Sequence, residues 1–372
     1  MIIKNYRIDS KSLTVEWQSG EIGSFSHFWL RDNARDPVSF DIQSYQRELF
    51  TAMVPPDIIP DQIELANDGC SLKIKWPDLE NPTNYESQFL SNYRQPLAKN
   101  TNLSEMLWNA DSLNDDTIRL DFKQAISASG NTKLLEILAT YGFVLISQCP
   151  HDQDSVVKIA KNIGYIRETI FGGLWEFEAN ANMADSAYTP KELRPHTDST
   201  YSLDAPGLQM LLCMSYDATG GESIVVDGFS VADQLKREDE KLYNAMSRIG
   251  VIGIYKGDGA ILQAERPILR HDDQGKLTQV TFNNYDRATM RLPEPDMSQL
   301  YAGIRYLDRL FNHPSYQWRY QLQAGQMLIF DNWRILHGRG AFKGKRKMAG
   351  AYINREDFMS ALRKNALIDA II

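Results

Sequence analysis

Two histidines and one aspartate of the sequence have the side-chain types and the spacing of metal ligands. His196 and Asp198 stand two residues apart in the segment RPHTDSTY, and residues i and i+2 of an extended segment share one face. Two histidines and one carboxylate on one side of a metal leave its other positions open, as in non-haem Fe(II) oxygenases. The third ligand must come from elsewhere, and His337 is the best candidate because it follows a predicted strand. We therefore predict an iron site made of His196, Asp198 and His337.

A second His-x-Asp pattern, from His271 to Asp273, has a simpler interpretation. Its surroundings, RHDDQGK, are polar and contain a glycine, which is typical of a hairpin turn between two strands. We expect this segment to be a turn and not a metal site.

Arg346 lies nine residues after His337, beside the predicted strand KMAGAY. Its guanidinium is a rigid fork of donors that matches a carboxylate. It therefore suits the distal carboxylate of 2-oxoglutarate, the cosubstrate that an iron oxygenase of this type needs. Two alternatives stay open. The basic run 343–347 is typical of a solvated loop, and Arg339 is a second candidate for the anchor.

The elements that must hold these residues change character along the chain. In the first hundred residues, apolar and polar positions alternate, as in 13–17 and 72–76, which predicts strands with one buried face. Segment 81–102 is rich in Asn, Ser, Gln and Pro and lacks clear periodicity, so we place the interdomain linker within or near it. The predicted domains are a small β-rich one over 1–100 and a larger one over 101–372.

In the larger domain, helical periodicity precedes a series of short apolar runs. One helix has its apolar face around 134–138 and ends at Gly142, and a second begins with Asp154 or Ser155 as cap and ends at Gly164. Further helices are expected around 230–248 and 297–311. The predicted strands are 143–147, 207–216, 222–228, 277–283, 326–332 and 348–355. A mainly β domain with supporting helices favours a barrel or a sandwich.

The composition is that of an ordinary globular protein with an acidic balance. The 372 residues are 43% hydrophobic and 24% charged, with a net charge of −8 and a pI near 5.4. These values argue against dominant disorder and against nucleic-acid binding through bulk positive charge. Three widely spaced cysteines predict neither a disulfide framework nor a cysteine zinc site. No signal-like or membrane-spanning apolar run is present, so we expect a cytoplasmic protein.

Several long segments together resemble the γ-butyrobetaine dioxygenase and trimethyllysine dioxygenase family. They occur in the family's order: FWLRDNARDP (28–37), YGFVLISQCP, AYTPKELRPHTDSTY, APGLQMLLC, GGESIVVDGF, FNNYDR and FDNWRILHGRGAFKGKRKMAGAY. The resemblance implies a double-stranded β-helix, or jelly-roll, catalytic domain that depends on Fe(II) and 2-oxoglutarate. It assigns the iron to His196, Asp198 and His337 and the cosubstrate to Arg346. Ser223 falls where relatives place a hydroxyl near the cosubstrate, although a serine at a strand edge also has a purely structural interpretation.

The resemblance further implies a pocket for a trimethylammonium group. Such a group neither donates nor accepts a conventional hydrogen bond, so proteins surround it with aromatic faces. The family's cage positions fall here on four aromatic residues, Phe171, Trp175, Tyr188 and Tyr352. Taken singly, each of these residues is more typical of a hydrophobic core, but four matched positions together favour a cage.

This chain departs from the family's pattern in its N-terminal part. Relatives carry a cysteine cluster after the LRDN segment, with a later histidine, that binds a structural zinc. Here the segment continues Ala34-Arg35-Asp36-Pro37 without cysteine. We therefore expect no zinc, and an N-terminal domain that its own core stabilises.

The polar end of the substrate pocket also departs from the pattern. Asp185 stands where some γ-butyrobetaine enzymes have Asn, and Ser199 stands where they have Tyr, with Tyr201 two residues further. Asn283, Asn284 and Arg287 in FNNYDR suit either a carboxylate or a phosphonate, although FNN also fits a simple turn at the end of a strand.

These features predict an Fe(II)- and 2-oxoglutarate-dependent hydroxylase of a small trimethylammonium acid. We expect γ-butyrobetaine, giving carnitine, as the first choice, then 2-(trimethylamino)ethylphosphonate, then trimethyllysine. O2 is the other partner, ascorbate is expected to stimulate turnover, and the resemblance implies a homodimer. The alternative from another class is a jelly-roll that binds a quaternary amine without turnover.

Overall fold

The computed structural model of the chain describes residues 1–95, 103–178, 190–257 and 259–369. The chain divides into two units, Met1–Lys99 and Asn100–Ile372. No helix in the described ranges combines the length and the apolar run that a bilayer crossing requires.

The first unit is built on two antiparallel sheets of three strands each. Its elements are β1 (Ile3–Ile8), β2 (Ser12–Trp17), β3 (Ile22–Ser26), α1 (His27–Asp32), β4 (Phe40–Asp41), β5 (Gln46–Arg47), β6 (Gln62–Leu65), β7 (Ser71–Lys75), β8 (Thr83–Glu86) and α2 (Ser87–Asn92). The sheets are β1-β2-β3 and β6-β7-β8. Their inward positions, among them the fully buried Trp17 and Ile74, form one hydrophobic core with Trp76, which directly follows β7, as the alternating pattern predicted.

Part of segment 81–102, within or near which the linker is predicted, belongs to the first unit. Residues 83–92 form β8 and α2, and Tyr85 and Leu90 are buried in the core of the first unit. Tyr85 donates a hydrogen bond of 2.7 Å to the carbonyl of Leu30. The polar residues of this segment lie on the outward face of β8 and α2. Composition alone does not distinguish such a face from a loop.

The second unit contains the remaining strands and helices. They are β9 (Arg119–Asp121), α3 (Phe122–Ala125), α4 (Ala128–Tyr141), β10 (Phe143–Ser147), α5 (Gln153–Ile163), β11 (Ile166–Arg167), β12 (Leu174–Glu178), β13 (Leu193–His196), β14 (Leu208–Gly220), β15 (Ser223–Asp227), α6 (Gly228–Glu238), α7 (Glu240–Arg248), β16 (Gly250–Gly257), β17 (Ala260–Pro267), β18 (Leu269–His271), β19 (Leu277–Val280), α8 (Glu294–Phe311), β20 (Trp318–Tyr320), β21 (Gln326–Asp331), β22 (Ile335–Arg339), β23 (Phe342–Ile353) and α9 (Arg355–Lys364).

Two sheets form the framework of this unit. The larger has the order β11-β23-β14-β21-β10-β9, with β12 also paired to β23, and the smaller has the order β13-β22-β15-β20. Neighbours far apart in sequence, such as β13 and β22, lie side by side, which is how a jelly roll brings distant segments together. The fold is the predicted mainly β jelly roll with supporting helices.

Local signals account for the helices, with two corrections. Helix α4 ends at Gly142, whose φ of 81° places it in the left-handed region. Helix α5 is capped by Asp152, which accepts from the backbone N–H of Ser155, so the predicted caps Asp154 and Ser155 are wrong by two to three residues. The single helix predicted over 230–248 is two helices, because Asp239 ends α6 and caps α7.

Candidate active site

Residues of both sheets of the second unit line a cavity of about 150 Å³. The lining comprises Phe171, Trp175, Phe177, Leu193, His196, Asp198, Ser199, Tyr201, Gln209, Leu211, Ser223, Tyr255, Asn283, Tyr285, Asp286, His337, Gly338, Arg339, Arg346, Met348 and Tyr352.

The three predicted iron ligands meet at this cavity. His196 ends β13 and His337 lies in β22, and the two are direct partners across the antiparallel pair. Their ring centroids are 4.4 Å apart. Oδ1 of Asp198 lies 3.4 Å from Nε2 of His196 and 3.8 Å from Nε2 of His337. The ligand atoms all lie within 4.8 Å of one another, and in the described ranges no other group of three His, Cys, Asp or Glu side chains does so.

Hydrogen bonds hold two of these ligands in place. Nδ1 of His196 lies 2.8 Å from the carbonyl of Arg194. A proton on Nδ1 there leaves Nε2 free to bind a metal, the usual arrangement of a ligand histidine. The backbone N–H of Asp198 donates to Oδ1 of Asn332 at 2.8 Å, and Nδ2 of Asn332 donates back to the carbonyl of Asp198 at 3.1 Å. The hydroxyl of Tyr352 donates to Oδ2 of Asp198 at 2.7 Å.

The charge states of Asp198 and His337 suit a divalent cation. Burial alone would raise the pKa of the Asp198 carboxyl, but attraction to His337 and the hydrogen bond from His196 hold it well below its usual range. Burial lowers the pKa of His337 to about 4, despite the attraction of Asp198. Burial also opposes the charged form of His196, but the hydrogen bond and charge attraction of Asp198, together with the carbonyl of Arg194 and the charge of Asp286, outweigh that effect and raise its pKa. At neutral pH, Asp198 is ionised and His337 is neutral, which are the states that bind metal.

Two buried arginines give one part of the cavity a positive charge. Arg346, on β23, donates from one guanidinium nitrogen to the carbonyl of Gly221 at 3.1 Å, and its buried Nε has no partner. Arg339, two residues after His337 on β22, also lines the cavity. Burial and repulsion from Arg346 lower the pKa of Arg339 to about 10. Ser223 is the strand partner of Arg339 and lines the same cavity. The two predicted anchors thus lie together, beside the predicted hydroxyl.

Three of the four predicted cage residues line the cavity, and Tyr188 lies outside the described residues. The ring centroids of Trp175 and Tyr352 are 5.7 Å apart. Trp175 lies on β12 opposite Gly350 of β23. A Cβ at Gly350 would stand 2.2 Å from the Trp175 ring, so this glycine leaves the space that the indole fills. Phe171 packs edge-on against Tyr255, at 6.2 Å between centroids.

The residues predicted to bind the polar end of the substrate do not all lie in the same place. Ser199, Tyr201 and Asn283 line the cavity. Asn284 and Arg287 are not part of its lining and instead line a separate, smaller pocket, to which Asn283 also contributes. Asp185 lies outside the described residues.

The structure also adds cavity residues that the sequence did not single out. Tyr255 comes from the β16–β17 hairpin, which was not predicted, and its ring lies 5.2 Å from that of Tyr201. Asp286 accepts hydrogen bonds from Asn283 and Thr200, at 3.0 and 3.2 Å. Asp286 belongs to the motif FNNYDR, so the motif could have pointed to this residue. Gln209 lies within APGLQMLLC and carried no signal of its own.

The arrangement fits Fe(II) and 2-oxoglutarate. Two imidazoles and a carboxylate converge from one side, which suits iron and leaves room for further ligands. The unpartnered Nε of Arg346, buried in the same cavity, suits the distal carboxylate of the cosubstrate. The second His-x-Asp pattern is separate, since His271 lies on the β18–β19 hairpin and contacts the hydroxyl of Tyr243 at 2.7 Å.

Comparisons with known proteins agree with this chemistry. The model of the taurine catabolism dioxygenase TauD, TfdA family matches residues 99–352, and the model of the γ-butyrobetaine hydroxylase-like N-terminal domain matches residues 4–91. Trimethyllysine dioxygenase of Meyerozyma guilliermondii is 33% identical over 98% of this chain and 97% of its own. γ-Butyrobetaine dioxygenase of Pseudomonas sp. is 28% identical over 95% of this chain and 93% of its own.

Among solved structures, a taurine dioxygenase from Burkholderia xenovorans has a TM-score of 0.50 at 15% identity, covering 63% of this chain and 84% of its own. At that identity the likeness concerns the fold alone. The full-length similarity to the dioxygenases, the two family matches and the converging ligands lead to one assignment. The chain belongs to the trimethyllysine and γ-butyrobetaine dioxygenase family of Fe(II)- and 2-oxoglutarate-dependent oxygenases.

Proposed function

We propose that this enzyme hydroxylates a small trimethylammonium compound, with Nε-trimethyllysine as the preferred substrate. The observation that carries the proposal is that Phe171, Trp175 and Tyr352 line the same cavity as the iron ligands. A trimethylammonium group held by these rings lies within the cavity that also contains the metal site.

Aromatic rings are suited to this cation because its positive charge is spread over methyl groups that form no strong hydrogen bonds. Contact with aromatic faces contributes about 0.5–2 kcal/mol, more when water is excluded. Tyr255 and Tyr201, in ring contact with each other, add further aromatic surface beside Phe171.

The carboxylate of Asp286 favours trimethyllysine over the other candidates. Trimethyllysine carries an α-ammonium group as well as an α-carboxylate, whereas γ-butyrobetaine and 2-(trimethylamino)ethylphosphonate carry a single cation. A carboxylate in the cavity complements a second cation and repels a purely anionic end. The Meyerozyma guilliermondii relative, named a trimethyllysine dioxygenase, supports the same order. This order replaces the one expected from the sequence, in which γ-butyrobetaine came first.

γ-Butyrobetaine is the second candidate. Arg339 lines the cavity and its guanidinium can donate to a carboxylate, and the Pseudomonas relative is named a γ-butyrobetaine dioxygenase.

In this proposal, bound Fe(II) and 2-oxoglutarate supply the oxidising power that places an oxygen atom of O2 into a C–H bond. The protein's part is positioning. His196, Asp198 and His337 hold the metal on one side, and Arg346 holds the far carboxylate of the cosubstrate. The aromatic cage and Asp286 bind the two ends of the substrate, and the distance between them selects the carbon that faces the metal.

The test is hydroxylated product and succinate formed from 2-oxoglutarate with each of the three trimethylammonium compounds and with no substrate. We expect the highest kcat/KM with trimethyllysine. In Asp286→Asn, kcat/KM for trimethyllysine falls about tenfold or more, the loss of a charge-assisted contact worth roughly 1.5–3 kcal/mol, while that for γ-butyrobetaine is kept or rises. Asp233→Asn, on the exposed face of α6, is the matched control.

Three results contradict the proposal. A higher kcat/KM with γ-butyrobetaine or the phosphonate overturns the substrate order. Succinate that no compound stimulates overturns the trimethylammonium pocket. No turnover with any of them favours the non-catalytic binder. Stimulation by ascorbate, the missing zinc, the homodimer and the cytoplasmic location remain predictions of the sequence.

A further inference from the structure

Gln209 has a buried side-chain amide in the wall of the cavity. None of the metal, cosubstrate or substrate roles described above involves this amide. Its side chain is only 4% exposed and lines the cavity. Its Oε1 is buried and has no hydrogen-bond partner. A buried polar group without a partner is unfavourable compared with an apolar side chain of similar shape. The position therefore keeps an amide that stability alone does not favour.

Strand register places this amide beside the metal site. Gln209 of β14 is paired with Phe330 of β21 on one side and with Tyr352 of β23 on the other. Residues directly opposite each other in a sheet point to the same face. The Phe330 ring lies 4.7 Å from the ring of His337, and the Tyr352 hydroxyl bonds to Asp198. Gln209 thus stands between two side chains that each contact an iron ligand.

A 2-oxo acid that chelates a metal brings a carboxylate to it. Such a carboxylate uses one oxygen for the metal and has a second oxygen that accepts hydrogen bonds. The amide of Gln209 supplies N–H donors, and rotation of its terminal torsion exchanges the donor and acceptor ends. In the same cavity, Arg346 and Arg339 supply the positive charge that suits the opposite end of the cosubstrate.

We propose that Gln209 binds the chelating carboxylate of 2-oxoglutarate by donating a hydrogen bond to its oxygen that is not on the metal. This assignment depends on the Fe(II)/2-oxoglutarate chemistry of the family and not on the identity of the substrate.

The test is anaerobic titration of the Fe(II) protein with 2-oxoglutarate, without a trimethylammonium compound, followed by the metal-to-ligand charge-transfer band. In Gln209→Leu, the Kd for 2-oxoglutarate rises about tenfold and the band shifts, while Mn(II) affinity is unchanged. In Gln209→Glu, the Kd rises further because two carboxylates repel. Gln274→Leu, the same substitution at an exposed position in the turn between β18 and β19, is the control and keeps the Kd and the band of the parent.

Thermal melting separates binding from a structural role. If Gln209 serves the cosubstrate, the Tm of Gln209→Leu without ligands is equal to or higher than that of the parent, because an unpartnered amide is removed. A lowered Tm together with weakened Mn(II) binding overturns the proposal in favour of a structural role. A Kd and a band equal to those of the parent in Gln209→Leu overturn it directly. Tighter 2-oxoglutarate binding in Gln209→Glu also overturns it. None of these results depends on which compound is hydroxylated, so they are distinct from a failure of the proposed function.

Discussion

Replacing Tyr352 by Phe separates the contact of its ring with Trp175 from the hydrogen bond of its hydroxyl. The ring belongs to the proposed cage and lies 5.7 Å from Trp175, whereas the hydroxyl donates to Oδ2 of Asp198 at 2.7 Å. Tyr352→Phe keeps the ring and removes the hydrogen bond. The partly buried carboxylate of Asp198 then loses a donor that orients it towards the metal.

The size of the effect follows from the charge on Asp198. A hydrogen bond to a charged group contributes about 1.5–3 kcal/mol, and loss of a group that orients a metal ligand lowers metal affinity about 10- to 100-fold. We expect the Kd for Mn(II), used as a redox-stable substitute for Fe(II), to rise by that factor. At saturating iron, the KM for the trimethylammonium substrate changes less than twofold, because the aromatic face is retained.

The assay is Mn(II) titration followed by electron paramagnetic resonance, with substrate KM measured separately at saturating Fe(II). Tyr255→Phe is the control, since this tyrosine lines the same cavity and its ring contacts are with Phe171 and Tyr201. A Mn(II) Kd within twofold of the parent would refute the role of the hydroxyl. A large rise in KM with unchanged metal affinity would show that the phenol binds substrate instead.

Three further predictions concern other residues of the second unit. Trp175→Ala removes the indole that lies 5.7 Å from the Tyr352 ring and raises the substrate KM about tenfold, the loss of roughly 1–2 kcal/mol of cation–π attraction. An unchanged KM would place the cage elsewhere. Arg334→Met leaves the fully buried carboxylate of Asp227 without its 2.7 Å ion pair and lowers the free energy of unfolding by about 3–5 kcal/mol in urea denaturation. A loss below 1 kcal/mol would contradict this role. Because the raised pKa of His196 keeps a proton on it at higher pH, Mn(II) affinity increases as pH rises from about 6 to 8. A flat profile would show that no proton competes with the metal.

Sequence patterns were sufficient wherever the deciding interaction is local. Period-two alternation placed β2 and β7, and a left-handed glycine ended α4 where predicted. The alternation works because one face of each strand is buried and the other is solvated. The patterns failed where a local choice depends on distant packing. Asp239 divides 230–248 into two helices, and the polar segment 83–92 is ordered by burial of Tyr85.

The jelly-roll class was implied by the family resemblance, and the candidate triad of His196, Asp198 and His337 was predicted because metal ligands are recognisable by residue type and spacing. What only the tertiary structure decided is which side chains join them. Asp286, Tyr255 and Gln209 line the cavity with the triad, whereas Asn284 and Arg287 line another pocket. The reason is strand register: antiparallel pairing of β14, β21 and β23 sets Gln209 beside Phe330 and Tyr352, and shifting the register by one residue would turn it to the opposite face. Sequence spacing gives the face of one strand, but only the pairing of distant strands determines what that face meets.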